Sequence, residues 1–194
     1  PNALLEIRPL AGAIGAEVHG VQLNQSLSEQ TIGQLRAALN DNLVIFFRDQ
    51  TLTPAEHARF GASFGTLHIH PLIKGLDDQP EVMEFVKEPR ETGYVVGGEW
   101  HSDLTFTAEP SMASILYAHE VPPYGGDTLF ANMYLAYESL SDGMRRLLDG
   151  LRAVHSAAAS YGAGGRFQVD HRYDPSPSVS KGSSYFHRGK TTPS

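Results

Sequence analysis

The chain has 194 residues, a net charge of −7 and no cysteine. That length supports one domain of ordinary size with a real core. The missing cysteine excludes disulfides, thiolate nucleophiles and cysteine-bound zinc, and an acidic balance without a basic patch argues against nucleic acid as a partner. No apolar run approaches a membrane span and no leader pattern opens the chain, so a cytoplasmic location is expected. Pro1 stands where an initiator Met would, which reads as a fragment.

The predicted elements follow in chain order. Residues 4–23 carry Ile7, Leu10, Ile14, Val18 and Val21 between glycines, a pattern of short strands and turns. Ser26-Leu27-Ser28-Glu29 has capping-box spacing, and Ile32, Leu35 and Leu39 then recur at helical period until Asn40-Asp41-Asn42. Leu43-Val44-Ile45-Phe46-Phe47 is a continuous apolar run, expected as a strand buried on both faces. Thr53-Pro54-Ala55-Glu56 starts a second helix with Thr53 as N-cap, carrying Phe60 and Phe64 inward and ending at Gly65. Residues 82–86 are expected as a strand and 87–98 as a loop or lid. Further strands are expected at 113–117 and 128–131, with a turn over 121–127 between them. Helices are expected over 134–140 and 143–151, divided at Ser141-Asp142, and a strand over 151–155. This order suggests a mainly β, α+β fold, a sheet sandwich or barrel with helical cover.

From residue 157 the composition changes. Residues 157–165 are small and glycine-rich, and residues 171–194 are rich in Ser, Pro, Gly and basic groups, with Val179 the one aliphatic side chain. Such a stretch buries too little apolar surface to offset its ordering entropy. The reading is a globular portion over 1–156 and a disordered or non-native tail over 157–194. Late strands missing from the body would leave exposed edges and apolar surface, for which a partner or a second copy is the expected cover.

Trp100-His101-Ser102-Asp103 is the candidate for chemistry. Read as a strand, it points His101 and Asp103 to one face, because residues i and i+2 share a side. An imidazole and a carboxylate so placed are two of the three donors of a 2-His-1-carboxylate iron site. A His-x-Asp pair alone is common on wet strand faces. Trp100, Leu104 and Phe106 around it suit a wall with a site inside.

Several ordered motifs make the chain resemble the taurine dioxygenase-like TauD/TfdA family of Fe(II)- and 2-oxoglutarate-dependent dioxygenases. They are Gly12-Ala13-Ile14-Gly15-Ala16-Glu17-Val18, Val44-Ile45-Phe46-Phe47-Arg48-Asp49-Gln50, Phe64-Gly65-Thr66-Leu67-His68-Ile69-His70-Pro71, the His101 segment, and Gly125-Gly126-Asp127-Thr128-Leu129-Phe130. The resemblance covers residues 5–156 and implies the first part of a double-stranded β-helix (jelly-roll), incomplete at its C-terminus. It implies His101 and Asp103 as iron ligands, Thr128 as a partner of a 2-oxoglutarate carboxylate, and His70 as a substrate-pocket residue.

The departures are specific. The family's late segment, with the second iron His and the Arg that pairs with 2-oxoglutarate, has no counterpart here. His155, His171 and His187 lack its context, so no third ligand is assigned. Where taurine-type members have an Asn before the first iron His and a Tyr after the pocket His, this chain has Gly97 and Ile73. The reaction implied is hydroxylation of a small organic anion, with O₂ and 2-oxoglutarate as co-substrates. An aryloxyalkanoate is expected first, then an alkyl sulfate or sulfonate, and slow or absent turnover for the chain as written. The alternative is a catalytically inactive jelly-roll binding or scaffold domain.

Overall fold

The computed structural model describes residues 5–88, 97–161 and 185–187. It divides into two compact units, Pro1–Leu67 with Leu116–Arg146, and His68–Ile115 with Leu147–Ser194.

In the first unit, strands β1 (Glu6–Pro9) and β2 (Ala16–His19) pair antiparallel across the Gly-punctuated turn, with Ile7 opposite Val18. β3 (Ile45–Phe46) joins β2 in parallel, Ala16 opposite Ile45, so the sheet order is β1-β2-β3. A parallel pair cannot be closed by a hairpin, and helix α1 (Glu29–Asn42) supplies the crossover. Ser28 caps α1, its hydroxyl accepting from the Thr31 amide, so the cap lies two residues later than the Ser26 spacing implied. The helix ends where Leu43 takes a left-handed conformation, φ 65°, closing on the Leu39 carbonyl.

Helix α2 (Pro54–Ala62) begins as predicted. Thr53 Oγ1 accepts from the Glu56 amide, and the Glu56 carboxylate accepts from the Thr53 amide at 2.8 Å. The bond from the Thr53 amide, and secondarily the Thr53 hydroxyl donating to the same carboxylate at 2.9 Å, hold Glu56 below the ordinary carboxylate pKa. The core of this unit is Val18, Leu23, Leu35, Leu52 and Phe60, with Ile7, Ile32, Phe47 and Phe64 packed against it. The helical period of α1 and the strand alternation of β2 therefore meet in one cluster. Gln50, the last residue of the Val44-to-Gln50 motif, clamps the chain around this core. It accepts from the Leu23 amide at 2.9 Å and donates to the Val21 and Arg48 carbonyls. Tyr117 completes the clamp, donating to the Gln50 carbonyl and accepting from the Leu52 amide.

Helices α3 (Met133–Glu138) and α4 (Asp142–Leu148) form near the predicted positions. Asn132 caps α3, and the Ser141 hydroxyl accepts from the Met144 amide at the head of α4. In the second unit β4 (Ala153–His155) forms as expected and pairs antiparallel with β5 (Tyr185–His187), while α5 (Ala158–Tyr161) lies between them in sequence. Residues 162–184 and 188–194 of the predicted tail, and residues 89–96 of the predicted loop, lie outside the described residues.

The expected strands at 82–86, 113–117 and 128–131 are not paired among the described residues, and the apolar run 43–47 contributes only Ile45–Phe46 to the sheet. Their side-chain pattern suits a sheet, but a strand is defined by a neighbour to bond with, and these segments have no ladder partner among the described residues. The architecture is a small mixed sheet with helices. Large apolar side chains stand out into solvent, among them Leu116 at 75 %, Tyr124 at 88 % and Leu129 at 74 % exposure. Among the described residues no helix is long and apolar enough to cross a membrane.

Candidate metal and substrate site

His101 and Asp103 come together in the second unit, though not on a strand. Residues 103–106 form turns, with Leu104 left-handed at φ 53° and its carbonyl accepting from the Thr107 amide at 2.9 Å. The predicted strand is thus corrected to a turn. The two side chains still converge, because the turn folds the chain back where a strand's pleat would have aligned them. His101 Nε2 lies 3.3 Å from Asp103 Oδ1, and both side chains are half-exposed.

The hydrogen bonds around this pair decide its chemistry. His101 Nδ1 lies 2.7 Å from the Glu99 carbonyl oxygen. A carbonyl only accepts, so Nδ1 carries the proton and, in the neutral ring, Nε2 presents its lone pair. Two acceptors, Nε2 and Oδ1, then face each other across 3.3 Å. Such a pair calls for a positive charge between them, either a proton on the imidazole or a cation. A carbonyl behind the distal ring nitrogen is the usual orienting device of metal-bound histidine. The donor set therefore fits a divalent metal that takes nitrogen and oxygen ligands. Among the described residues no group of three His, Cys, Asp or Glu side chains gathers to hold an ion. His187 and His171 contribute no described side chain, and His155 hydrogen-bonds Thr105 Oγ1 at 2.9 Å.

Gly97 borders the imidazole. Its φ is 75°, and an added Cβ would sit 3.4 Å from His101 Cε1. Glycine is therefore the residue that makes this left-handed turn beside the ring without strain.

His70 is the one buried polar side chain of the described residues, at 8 % exposure. Its Nδ1 accepts from the Leu72 amide at 3.1 Å and the Ile73 amide at 2.9 Å, so the proton of the neutral ring is on Nε2. Its ring lies 5.6 Å from that of Tyr161, which in turn lies 6.0 Å from Phe106. Burial, and secondarily the nearby His68, push the His70 pKa down to about 4, against a weaker upward pull from Asp103. The ring is neutral at pH 7. Its unfolded pKa is near 6.5, so between about pH 6.5 and 4 the unfolded chain binds the extra proton. Stability then falls as pH drops through that window, by up to roughly 3 kcal/mol. Urea midpoints of wild type and His70→Gln at pH 7.5 and 4.5 check this. The variant should lose less stability on acidification, and equal losses would place the effect elsewhere.

Thr128 lies in the first unit. It follows Gly125 and Gly126, both of positive φ, 76° and 70°, and it stands exposed on a segment outside any helix or strand. Phe130 of that segment makes an edge-on ring contact with Phe46, centroids 5.9 Å apart. Two contributors escaped the sequence reading. Ser114 donates to Asp103 Oδ2 at 2.6 Å, and Tyr161 lies against His70 from a segment whose composition marked it as flexible. No local sequence signal marks either, since each meets its partner only through the fold.

A sulfate ester dioxygenase of Pseudomonas putida, named as alpha-ketoglutarate-dependent, is 37 % identical over 83 % of this chain and 53 % of its own length. The alkylsulfatase of Acinetobacter baylyi is 34 % identical over 84 % of this chain and 50 % of its own. A crystal structure of a taurine dioxygenase from Burkholderia xenovorans superposes with a TM-score of 0.67 and 41 % identity. It covers 78 % of this chain and 53 % of that one. The chain thus spans about half the length of these relatives. The family model described as taurine catabolism dioxygenase TauD, TfdA family matches residues 6–191, including most of the stretch that composition set apart. This chain belongs to that family.

Proposed function

We propose that this chain supplies the His-x-Asp part of an Fe(II)- and 2-oxoglutarate-dependent dioxygenase that hydroxylates a small organic anion. The observation that carries this reading is the His101 Nε2 to Asp103 Oδ1 approach of 3.3 Å, with the His101 proton committed to the Glu99 carbonyl. Iron and 2-oxoglutarate, when bound, would couple decarboxylation of the co-substrate to insertion of one oxygen atom from O₂ into a C–H bond of the substrate. The chain's own residues do the holding. His101 and Asp103 are the ligands, and Thr128 is the proposed hydrogen-bond donor to a 2-oxoglutarate carboxylate. His70 is proposed to donate from Nε2 to the anionic group of the substrate, as a neutral donor in a half-apolar surround rather than as a cation. The fold that goes with this function is the double-stranded β-helix.

Sulfate esters become the first substrates to test, ahead of aryloxyalkanoates and sulfonates, because both relatives described above are named for sulfate-ester chemistry. Gly97 and Ile73, small and apolar where taurine-type members are polar, support a less polar anion than taurine. One observation favours the second reading, a catalytically inactive binding or scaffold domain: no third metal donor joins the pair among the described residues.

Anaerobic calorimetric titration with Fe(II), then 2-oxoglutarate, then exposure to air with hexyl sulfate separates the two. The dioxygenase reading expects saturable Fe(II) binding and slow succinate release that depends on the sulfate ester. A chain that takes up no Fe(II) at millimolar metal belongs to the second reading.

A further inference from the structure

Ser114 lies outside every motif that carries the family resemblance, eleven residues beyond Asp103, yet its hydroxyl donates to Asp103 Oδ2 at 2.6 Å. The other oxygen of that carboxylate, Oδ1, is the one that faces His101 Nε2. We infer that Ser114 is a positioning residue that occupies Oδ2 and leaves Oδ1 as the single oxygen Asp103 offers to a divalent cation. The inference rests on the metal reading above.

The physical reason is the freedom of a carboxylate. With both oxygens unoccupied it rotates about Cβ–Cγ and can chelate an ion through both, taking an extra coordination position. A hydroxyl-to-carboxylate bond of this length is charge-assisted and about twice as strong as a neutral one. It fixes the plane of the group and occupies one oxygen. The backbone does not hold Asp103 in this way, since the residue sits in a turn and its side chain is half-exposed. Ser114 comes from a segment outside any helix or strand, eleven residues beyond Asp103, and serves as a clip on the carboxylate. His101 is clipped in the same manner by the Glu99 carbonyl. Each donor thus has one atom tied back to the protein and one atom facing its neighbour. That arrangement leaves more of a metal's coordination sphere open for co-substrates than a chelating carboxylate would.

The test is Mn(II) titration at fixed pH, read by paramagnetic broadening of the His101 ring protons, on wild type, Ser114→Ala, Ser114→Thr and Asp103→Asn. Loss of an outer partner typically weakens metal binding 10- to 100-fold. Ser114→Ala is expected about tenfold weaker, and Ser114→Thr, which restores the hydroxyl, close to wild type. Melting temperatures without metal should match across the Ser114 variants. Metal-minus-apo infrared difference spectra should show one-oxygen carboxylate ligation in wild type and Ser114→Thr, shifting toward chelation in Ser114→Ala and vanishing in Asp103→Asn. Wild type that binds Mn(II), with Ser114→Ala equal to it in affinity and spectrum, overturns the Ser114 assignment alone. Failure of Ser114→Thr to rescue, together with lowered metal-free melting, also overturns it, as a folding effect. Wild type that shows no broadening overturns the metal reading itself and the assignment with it.

Discussion

Replacing His101 with alanine is expected to abolish saturable Fe(II) binding while leaving the fold intact. Two protein donors converge at this site, and removing one leaves a single half-exposed carboxylate. Losing an outer partner of a metal ligand already costs 10- to 100-fold in affinity, so losing a ligand should cost at least about 100-fold. The imidazole is half-exposed and, besides facing Asp103, bonds the Glu99 carbonyl, so metal-free melting should barely move. Equilibrium dialysis with Fe(II) under argon, beside a thermal melt, reads both. Retention of affinity within a factor of about three would show that the ion, if any, binds elsewhere. Asp103→Asn should behave like His101→Ala in metal binding, because the amide keeps the shape but loses the charge.

Leu35→Ala should be the most damaging single change in the core. Leu35 is fully buried, at 0 % exposure, where α1 meets the β1-β2-β3 sheet and α2. Val18, Leu23, Leu52 and Phe60 surround it, and they come from separate elements that cannot all collapse into the space. Leucine-to-alanine changes at such sites cost about 3–5 kcal/mol, the transfer term plus the cavity. For a chain of this size each kcal/mol lowers Tm by roughly 2–4 °C, so a drop on the order of 10 °C is expected. Leu129→Ala, at a side chain 74 % exposed, should stay within about 0.5 kcal/mol. Urea melts of the two variants make the comparison, and a Leu35→Ala cost below about 1 kcal/mol would mean that the cluster is loosely packed.

Much of the first unit was legible in the sequence because its signals are local. Thr53, Pro54 and Glu56 satisfy helix donors within four residues, and they form the same capping box in the structure. Ile32, Leu35 and Leu39 mark a buried helical face by period alone, and Leu35 is the most buried side chain of it. The alternation in residues 4–23 became β1 and β2 for the same reason. Where two caps competed, local spacing misled: Ser26 has the right interval to Glu29, but Ser28 is the residue whose hydroxyl reaches a free helix amide, that of Thr31.

At the candidate site, the sequence proposed the residues, since His101, Asp103 and His70 declare their donor atoms by residue type. Family motifs, not composition, raised the pair above a chance His-x-Asp. Tertiary structure decided how the atoms are used. It replaced the expected strand around His101 with turns over 103–106, set Nε2 against Oδ1, and chose the His101 tautomer through the Glu99 carbonyl. It buried His70 and so pushed its pKa down to about 4. It brought Ser114 to Asp103 and Tyr161 to His70, contacts between residues 11 and 91 positions apart. Segments 113–117 and 128–131 show the same division from the other side, because their side chains favour a sheet but strand pairing needs a second backbone. Residue type and period act within a few positions of the chain, whereas tautomer, burial and pairing depend on neighbours that only folding supplies.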